Sequence, residues 1–449
     1  MVPGPVWHNL FRVISPDSPL DHVTPYDRFA WGGDEQIELW LASGERRREL
    51  SAYFGAVEYH ALAALARRAR RAPPADSALR VLVVPGIMGS QLGLRRRAPL
   101  PHDIVWLDPI DIQLGRLAAL RVPGPAPIVP LGVVLFSYLR LKLYLRAHGL
   151  AAEFHDYDWR LPVTQLGDQL AGRVRAAGSR VAIVAHSMGG LVARAALALA
   201  GTGNVERLVL LGTPHNGSFA AVQAVRGTYA VVRKVARLAA KASAESLAAE
   251  IFSTFPSLYD LMPVGAGPTD LLDARAWPPT GPQPRTALLQ AARAARGRLA
   301  PPDERFINIV GVGQETVTAV VRRHDDFVYT LTRHGDGTVP AASAVLAGVR
   351  SAYARVAHSD LTRDPVVAAA VVDVLRRGAT KRLPGKWLGA SRACTQVSDR
   401  QLRRSHGRKV DWAALTPEER RLFLQNLNEP PQFKLRVPRA ARRARRGRG

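Results

Sequence analysis

Three short stretches of the 449-residue sequence hold side chains that together could transfer an acyl group. They are Ala185-His186-Ser187-Met188-Gly189, then Gly335-Asp336-Gly337-Thr338, then His358. A serine hydroxyl is a poor nucleophile until a base takes its proton. An imidazole serves as that base only when a carboxylate fixes its tautomer and direction. Ser187, Asp336 and His358 supply the three groups in the order nucleophile, acid, base. The chemistry they imply is attack on an ester carbonyl, with an acyl-serine as the intermediate.

These residues work only if the chain brings them to one place, and the flanking patterns say how. Val181-Ala182-Ile183-Val184 reads as a strand and residues 190–200 as a helix, which is the strand–turn–helix setting of a nucleophile elbow. Small residues at Ala185 and Gly189 let the helix pass close to the strand. An isolated match of this kind is often a serine that caps a helix, and the two downstream partners set this one apart. Asp336 lies in a glycine-flanked turn after a strand-like run at 327–332, and His358 follows a short run at 354–357. His334 and Asp360 are the second choices for base and acid, and His186 is expected to pack or bond locally. The oxyanion needs backbone donors. Met188, after the nucleophile, gives one, and Ile87, in the sharp turn Val84-Pro85-Gly86-Ile87-Met88-Gly89-Ser90, gives the other.

Further strand-like runs at 79–84, 154–159, 180–185, 207–211 and 306–312 alternate with helical patterns, including 137–147. That alternation, with the serine–acid–histidine order, predicts an α/β-hydrolase fold: a mainly parallel sheet flanked by helices. Residues 1–75 read as an N-terminal helical preface, with apolar residues at helical spacing over 50–65 and a stop at Pro73-Pro74. The hydrolase domain is assigned to 76–380. Within it, about 219–300 form a cap or lid insertion, with helices expected over 230–251 and 286–294. A merely decorative insertion is the competing reading.

A formal charge of +25 suggests contact with anionic lipid or another polyanion, but most of it is local. Residues 381–449 hold nineteen Lys or Arg against five Asp or Glu, so the tail supplies +14 of the total. That tail is expected to be partly disordered, above all over 436–449, apart from one short helix announced by Thr416 and Glu419 at capping-box spacing. A solubilising end is the plainer alternative. The single cysteine, Cys394, rules out an intrachain disulfide. Prolines and charges near the N-terminus argue against a signal peptide. The longest apolar run, 128–138, is too short for a bilayer of about 30 Å. A cytoplasmic protein, peripherally attached to membranes, is the expectation.

With these residues in place, the chain resembles the lecithin:cholesterol acyltransferase family, which includes lysosomal phospholipases and phospholipid:diacylglycerol acyltransferases. The likeness runs from about 79 to 377. It rests on Val83-Val84-Pro85-Gly86-Ile87-Met88-Gly89-Ser90-Gln91-Leu92, Val105-Trp106-Leu107-Asp108-Pro109, Tyr157-Asp158-Trp159-Arg160, the Ser187 string, Gly212-Thr213-Pro214-His215-Asn216-Gly217-Ser218 and the stretch from Gly335 to Pro340. The resemblance implies a lipid ester as substrate, cleaved or transferred by Ser187, Asp336 and His358 with Ile87 and Met188 as oxyanion donors. It implies no cofactor and no metal. Asp158 and Arg160 fit a buried structural pair better than a catalytic one. The basic tail suits an anionic membrane better than nucleic acid. A soluble carboxylesterase, and a polyanion-binding protein on a hydrolase scaffold, are the alternatives; oligomeric state is not legible.

Overall fold

The computed structural model describes residues 33–71, 79–97, 101–178, 180–265, 267, 269–389, 394–404 and 409–427. Its centre is a six-stranded parallel sheet in the order β11-β8-β7-β6-β1-β5. These are β1 (Arg80–Val84), β5 (Ala151–Phe154), β6 (Val181–His186), β7 (Val205–Leu211), β8 (Phe306–Gly311) and β11 (Arg350–Ala354). Apolar residues run almost continuously along the central strands because both faces are covered. In β1, Leu82 and Val84 join the core on one face and Val81 and Val83 the core on the other. The helices Val163–Ala177 and Met188–Leu197 pack the first face, and Leu135–Arg146 and Pro365–Arg377 the second.

Local chemistry sets the ends of these helices. Asp364 accepts hydrogen bonds from the Val366 and Val367 N–H groups at 2.9 Å, Pro365 sits at the first helical position, and Gly378 closes the helix in the left-handed conformation at φ 73°. Thr416 and Glu419 form the reciprocal capping box their spacing predicts, starting the helix Pro417–Gln425.

Two small antiparallel sheets flank the large one: β3 (Asp103–Trp106), β2 (Ser90–Leu94) and β4 (Val129–Val133), and β12 (Thr395–Ser398), β10 (Asp326–Thr332) and β9 (Thr316–Arg323). The 327–332 run is therefore a strand, but of a hairpin outside the main sheet. The strand expected at 154–159 lies earlier, at Ala151–Phe154, because Tyr157 and Trp159 turn inward to pack under the β1 loop. Likewise the strand before His358 is Arg350–Ala354, which leaves a loop to carry the histidine.

The N-terminal helices Gly33–Ser43, Arg47–Phe54 and Ala56–Arg71 pack on Leu135, Leu139 and Leu143, with Gly55 (φ 86°) splitting the single helix expected over 50–65. Ion pairs of Lys142 and Arg146 with Glu38, and of Arg140 with Glu58, add to that contact. The boundary expected near residue 76 and the basic run 436–449 fall outside the described residues. In the insertion, the helix expected over 230–251 is two helices, Ala230–Leu238 and Ala244–Glu250, the second with its own Ser243 cap. Near the C-terminus, β12 leads into Asp399, which is fully buried against Arg226 (2.6 Å) and Tyr329 (2.7 Å).

Candidate active site

Ser187 stands at the C-terminal end of β6 with φ 54° and ψ −127°, a conformation a non-glycine residue holds only under constraint. The constraint is visible in its glycine neighbours. A Cβ on Gly189 would lie 2.4 Å from the Pro85 carbonyl oxygen, and one on Gly190 would run into the Thr213 side chain. A Cβ on Gly86 would meet the Ser187 Cβ at 2.8 Å. The β1 loop thus passes directly over the elbow, and only glycine allows that approach.

Asp336 reaches the same sheet edge by a detour. After β8 the chain makes the β9–β10 hairpin, then returns so that Asp336 sits over Gly311, where an added Cβ would come within 2.6 Å of the Asp336 Cβ. The carboxylate is almost fully buried and its oxygens divide the work. Oδ1 accepts from the Thr338 and Val339 N–H groups at 3.0 and 2.7 Å, and Oδ2 accepts from His358 Nδ1 at 2.7 Å. Because a carboxylate only accepts, Nδ1 carries the imidazole proton and Nε2 is left with its lone pair. The His358 backbone N–H also donates to the Asp336 carbonyl at 2.8 Å.

Ser187 and His358 line one cleft. Its walls are mainly apolar: Ile87 and Trp106 from the β1–β3 side, Phe136 from the helix Leu135–Arg146, Ala224 and Leu258 from the insertion, and Leu427 near the C-terminus are examples. Ile87 is among the lining residues, whereas Met188 is buried as the first residue of the helix behind the serine. Among the described residues, neither the Ile87 nor the Met188 N–H has an acceptor within the protein.

The second-choice residues lie elsewhere. Asp360 pairs with Arg363 at 2.5 Å, and His334 packs near Gly389, away from the cleft. Asp158 and Arg160 form a buried bidentate pair at 2.8 and 2.6 Å, and Arg160 also donates to the Leu120 carbonyl at 2.8 Å. Neither lines the cleft. Their neighbours hold the loop above the serine: Tyr157 Oη donates to the Pro85 carbonyl at 2.6 Å, and Trp159 Nε1 to that of Ser90 at 3.0 Å. His186 is buried and bonded on both ring nitrogens.

Sequence reasoning missed two groups here. Tyr138 lines the cleft from a helix read only as packing on the sheet. Leu424, Gln425 and Leu427 line it from a segment read as tail. The capping box at Thr416 followed by Phe423 and Leu427 was a signal for a packed helix, though not for where it packs.

The sheet order, the elbow and the acid–histidine pair are those of an α/β hydrolase, the fold of lipases and esterases. A family model described as a PGAP1-like alpha/beta domain matches residues 168–255. Among solved structures, the mature lipase BlEst2 of Bacillus licheniformis is 14% identical, covering 68% of this chain and 94% of its own at a TM-score of 0.35. The Tle4–Tli4 complex gives 14% identity, 70% and 100% coverage and a TM-score of 0.44. No curated protein matches the chain. Among the described residues, no helix is long and apolar enough to cross a membrane.

Proposed function

We propose that this chain is a serine hydrolase of long-chain lipid esters, working through an acyl-enzyme on Ser187. The observation that carries the reading is the 2.7 Å bond from His358 to Asp336, in a predominantly apolar cleft that His358 shares with the strained Ser187. Nε2 of His358 takes the Ser187 proton as Oγ attacks the ester carbonyl. The N–H groups of Ile87 and Met188 receive the oxyanion; losing one such donor typically raises the barrier by about 3 kcal/mol. When the intermediate collapses, the protonated imidazole gives its proton to the departing alkoxide. Water, or an acceptor alcohol as in the acyltransferases the sequence resembles, then attacks the acyl carbonyl as its proton passes to His358, and the second intermediate collapses with that proton returned to Ser187 Oγ as the acyl group leaves.

The apolar lining favours an acyl chain over a polar ester. The basic sequence beyond residue 427 supports docking on anionic lipid, through charge attraction that weakens with salt. Turnover of a short-chain p-nitrophenyl ester, phospholipid vesicles and a triacylglycerol emulsion by the full-length protein tests the reading. A preference for long acyl chains that disappears in Ser187→Ala is the expected result. Turnover confined to short soluble esters would instead identify a carboxylesterase, and turnover that survives Ser187→Ala would overturn the site altogether.

A further inference from the structure

We propose that His186 and Tyr138 are positioning residues, forming a hydrogen-bonded relay that fixes the main chain of the base relative to the loop that carries the oxyanion donor. The inference rests on the serine-hydrolase reading above and adds two residues to it.

The relay has four members from four parts of the fold. The Gly86 N–H donates to Tyr138 Oη at 2.9 Å, Tyr138 Oη lies 2.9 Å from His186 Nδ1, and His186 Nε2 lies 3.0 Å from the His358 carbonyl oxygen. The direction of every proton follows from the ends. A carbonyl oxygen has no proton to give, so His186 Nε2 must carry one. In a neutral ring Nδ1 is then bare, so the tyrosine hydroxyl donates to it and accepts from Gly86. Burial keeps the ring neutral, holding the His186 pKa well below its ordinary value, and the neighbouring His358 acts in the same direction. His186 is thereby locked in the tautomer that donates to His358.

The consequence is geometric. His358 is held from below by its own N–H on the Asp336 carbonyl, sideways by Nδ1 on the Asp336 carboxylate, and by its carbonyl on His186. The first two bonds leave the residue free to pivot about Asp336, and the third stops that pivot. The other end of the relay holds the residue immediately before Ile87, in a loop that already touches the Ser187 Cβ position. Base and oxyanion donor are thus referenced to one rigid chain through the helix Leu135–Arg146. Thr362 strengthens the same joint, its hydroxyl donating to the Ser137 carbonyl at 2.7 Å. Proton transfer and oxyanion binding are sensitive to displacements of about 1 Å, which can cost on the order of 100-fold in rate.

A positioning role and a packing role make opposite forecasts for substitutions at 186. Phenylalanine keeps the ring and loses the donor; glutamine loses the ring but can offer an amide N–H near the Nε2 position; asparagine is too short to do so. We expect kcat on a soluble p-nitrophenyl ester to fall about 10- to 100-fold in His186→Phe and His186→Asn, with KM changed less than about twofold. His186→Gln should recover most of the loss. Tyr138→Phe, which removes one oxygen, should show the same fall in kcat, and a slower reaction of Ser187 with a fluorophosphonate. A His186→Phe enzyme as active as the parent, or a glutamine variant no better than phenylalanine, overturns the relay. If the substitutions at 186 fail to fold, Tyr138→Phe alone decides, and unchanged kcat there refutes it. Ser187→Ala run alongside separates the two levels. Activity surviving that substitution sinks the hydrolase reading, while a dead Ser187→Ala beside a fully active His186→Phe sinks only the relay.

Discussion

The strand ends that hold Ser187, Asp336 and His358 and the insertion that walls the cleft are built by different means. At the strand ends, position comes from main chain: Ser187 from its strained elbow, Asp336 from two amide hydrogen bonds, and His358 from bonds at both its N–H and its carbonyl. Around the insertion, contacts are apolar side chains on short helices such as Phe219–Val225 and Pro256–Asp260. They are tied down by long cations; Lys409, for example, donates to the carbonyls of Ala236, Ala239 and Ala242 at 2.7–2.8 Å. A main-chain frame tolerates almost no displacement, whereas an apolar wall can exchange one side chain for another of similar volume. On the proposed function, chemistry belongs to the first region and substrate choice to the second.

The sharpest way to break the first region without disturbing its shape is Asp336→Asn. The amide oxygen should keep the place of Oδ1, accepting from Thr338 and Val339, which turns the NH₂ toward His358. His358 Nδ1 must then accept rather than donate, so its proton moves to Nε2, where the base needs a lone pair. A loss of about 10³- to 10⁴-fold in kcat, with an unchanged melting temperature, is expected. A loss under tenfold would mean that Asp336 does not set the tautomer.

A second break point is acid. His215 lies in the loop after β7, buried, with Nε2 3.2 Å from Asn308 Oδ1 and Nδ1 3.5 Å from the Arg194 guanidinium. Burial first, and Arg194 second, lower its pKa to about 4. The unfolded chain takes up this proton near pH 6.5 and the folded chain only near 4. Stability is therefore intact above about 6.5 and lost as pH falls through that window. The loss at pH 5 is about 2 kcal/mol from this residue. His155, lowered to about 4 by burial and then by Arg173, against an opposing pull from Glu153, adds a similar amount. Urea unfolding at pH 7.5 and pH 5 should show the difference shrinking by about 2 kcal/mol in His215→Gln; an undiminished difference assigns the acid sensitivity elsewhere.

The same contrast explains what was legible in the sequence. The elbow could be read because a sharp strand–turn–helix junction demands small residues at fixed spacing, and a parallel strand announces itself by a short apolar run. The run at 327–332 is a strand, as its pattern predicts, but it belongs to a side hairpin, and nothing local announces the long-range return to Gly311 that puts the Asp336 carboxylate over β8. Tyr138 and the residues 424–427 stayed hidden, since an apolar face carries no mark of which surface it covers. Asp399 was hidden for the same reason. Its partners Arg226 and Tyr329 lie 173 and 70 residues away, and nothing local distinguishes it from a surface aspartate.

The smallest expected effect tests the second region directly. Ala220 is half-buried on the helix Phe219–Val225 and lines the cleft, so a longer side chain there should occupy space meant for substrate while leaving the sheet edge untouched. Ala220→Leu adds three carbons. An acyl chain that must avoid them forfeits the burial of one or two methylenes, each worth about 0.8 kcal/mol. The expected outcome is about a tenfold lower kcat/KM on a long-chain ester. Turnover of a short-chain ester and labelling of Ser187 by a small fluorophosphonate should stay within about twofold. An equal fall on both esters would show that the substitution reached the strand ends after all, and the division between a main-chain frame for chemistry and an apolar wall for specificity would have to be withdrawn.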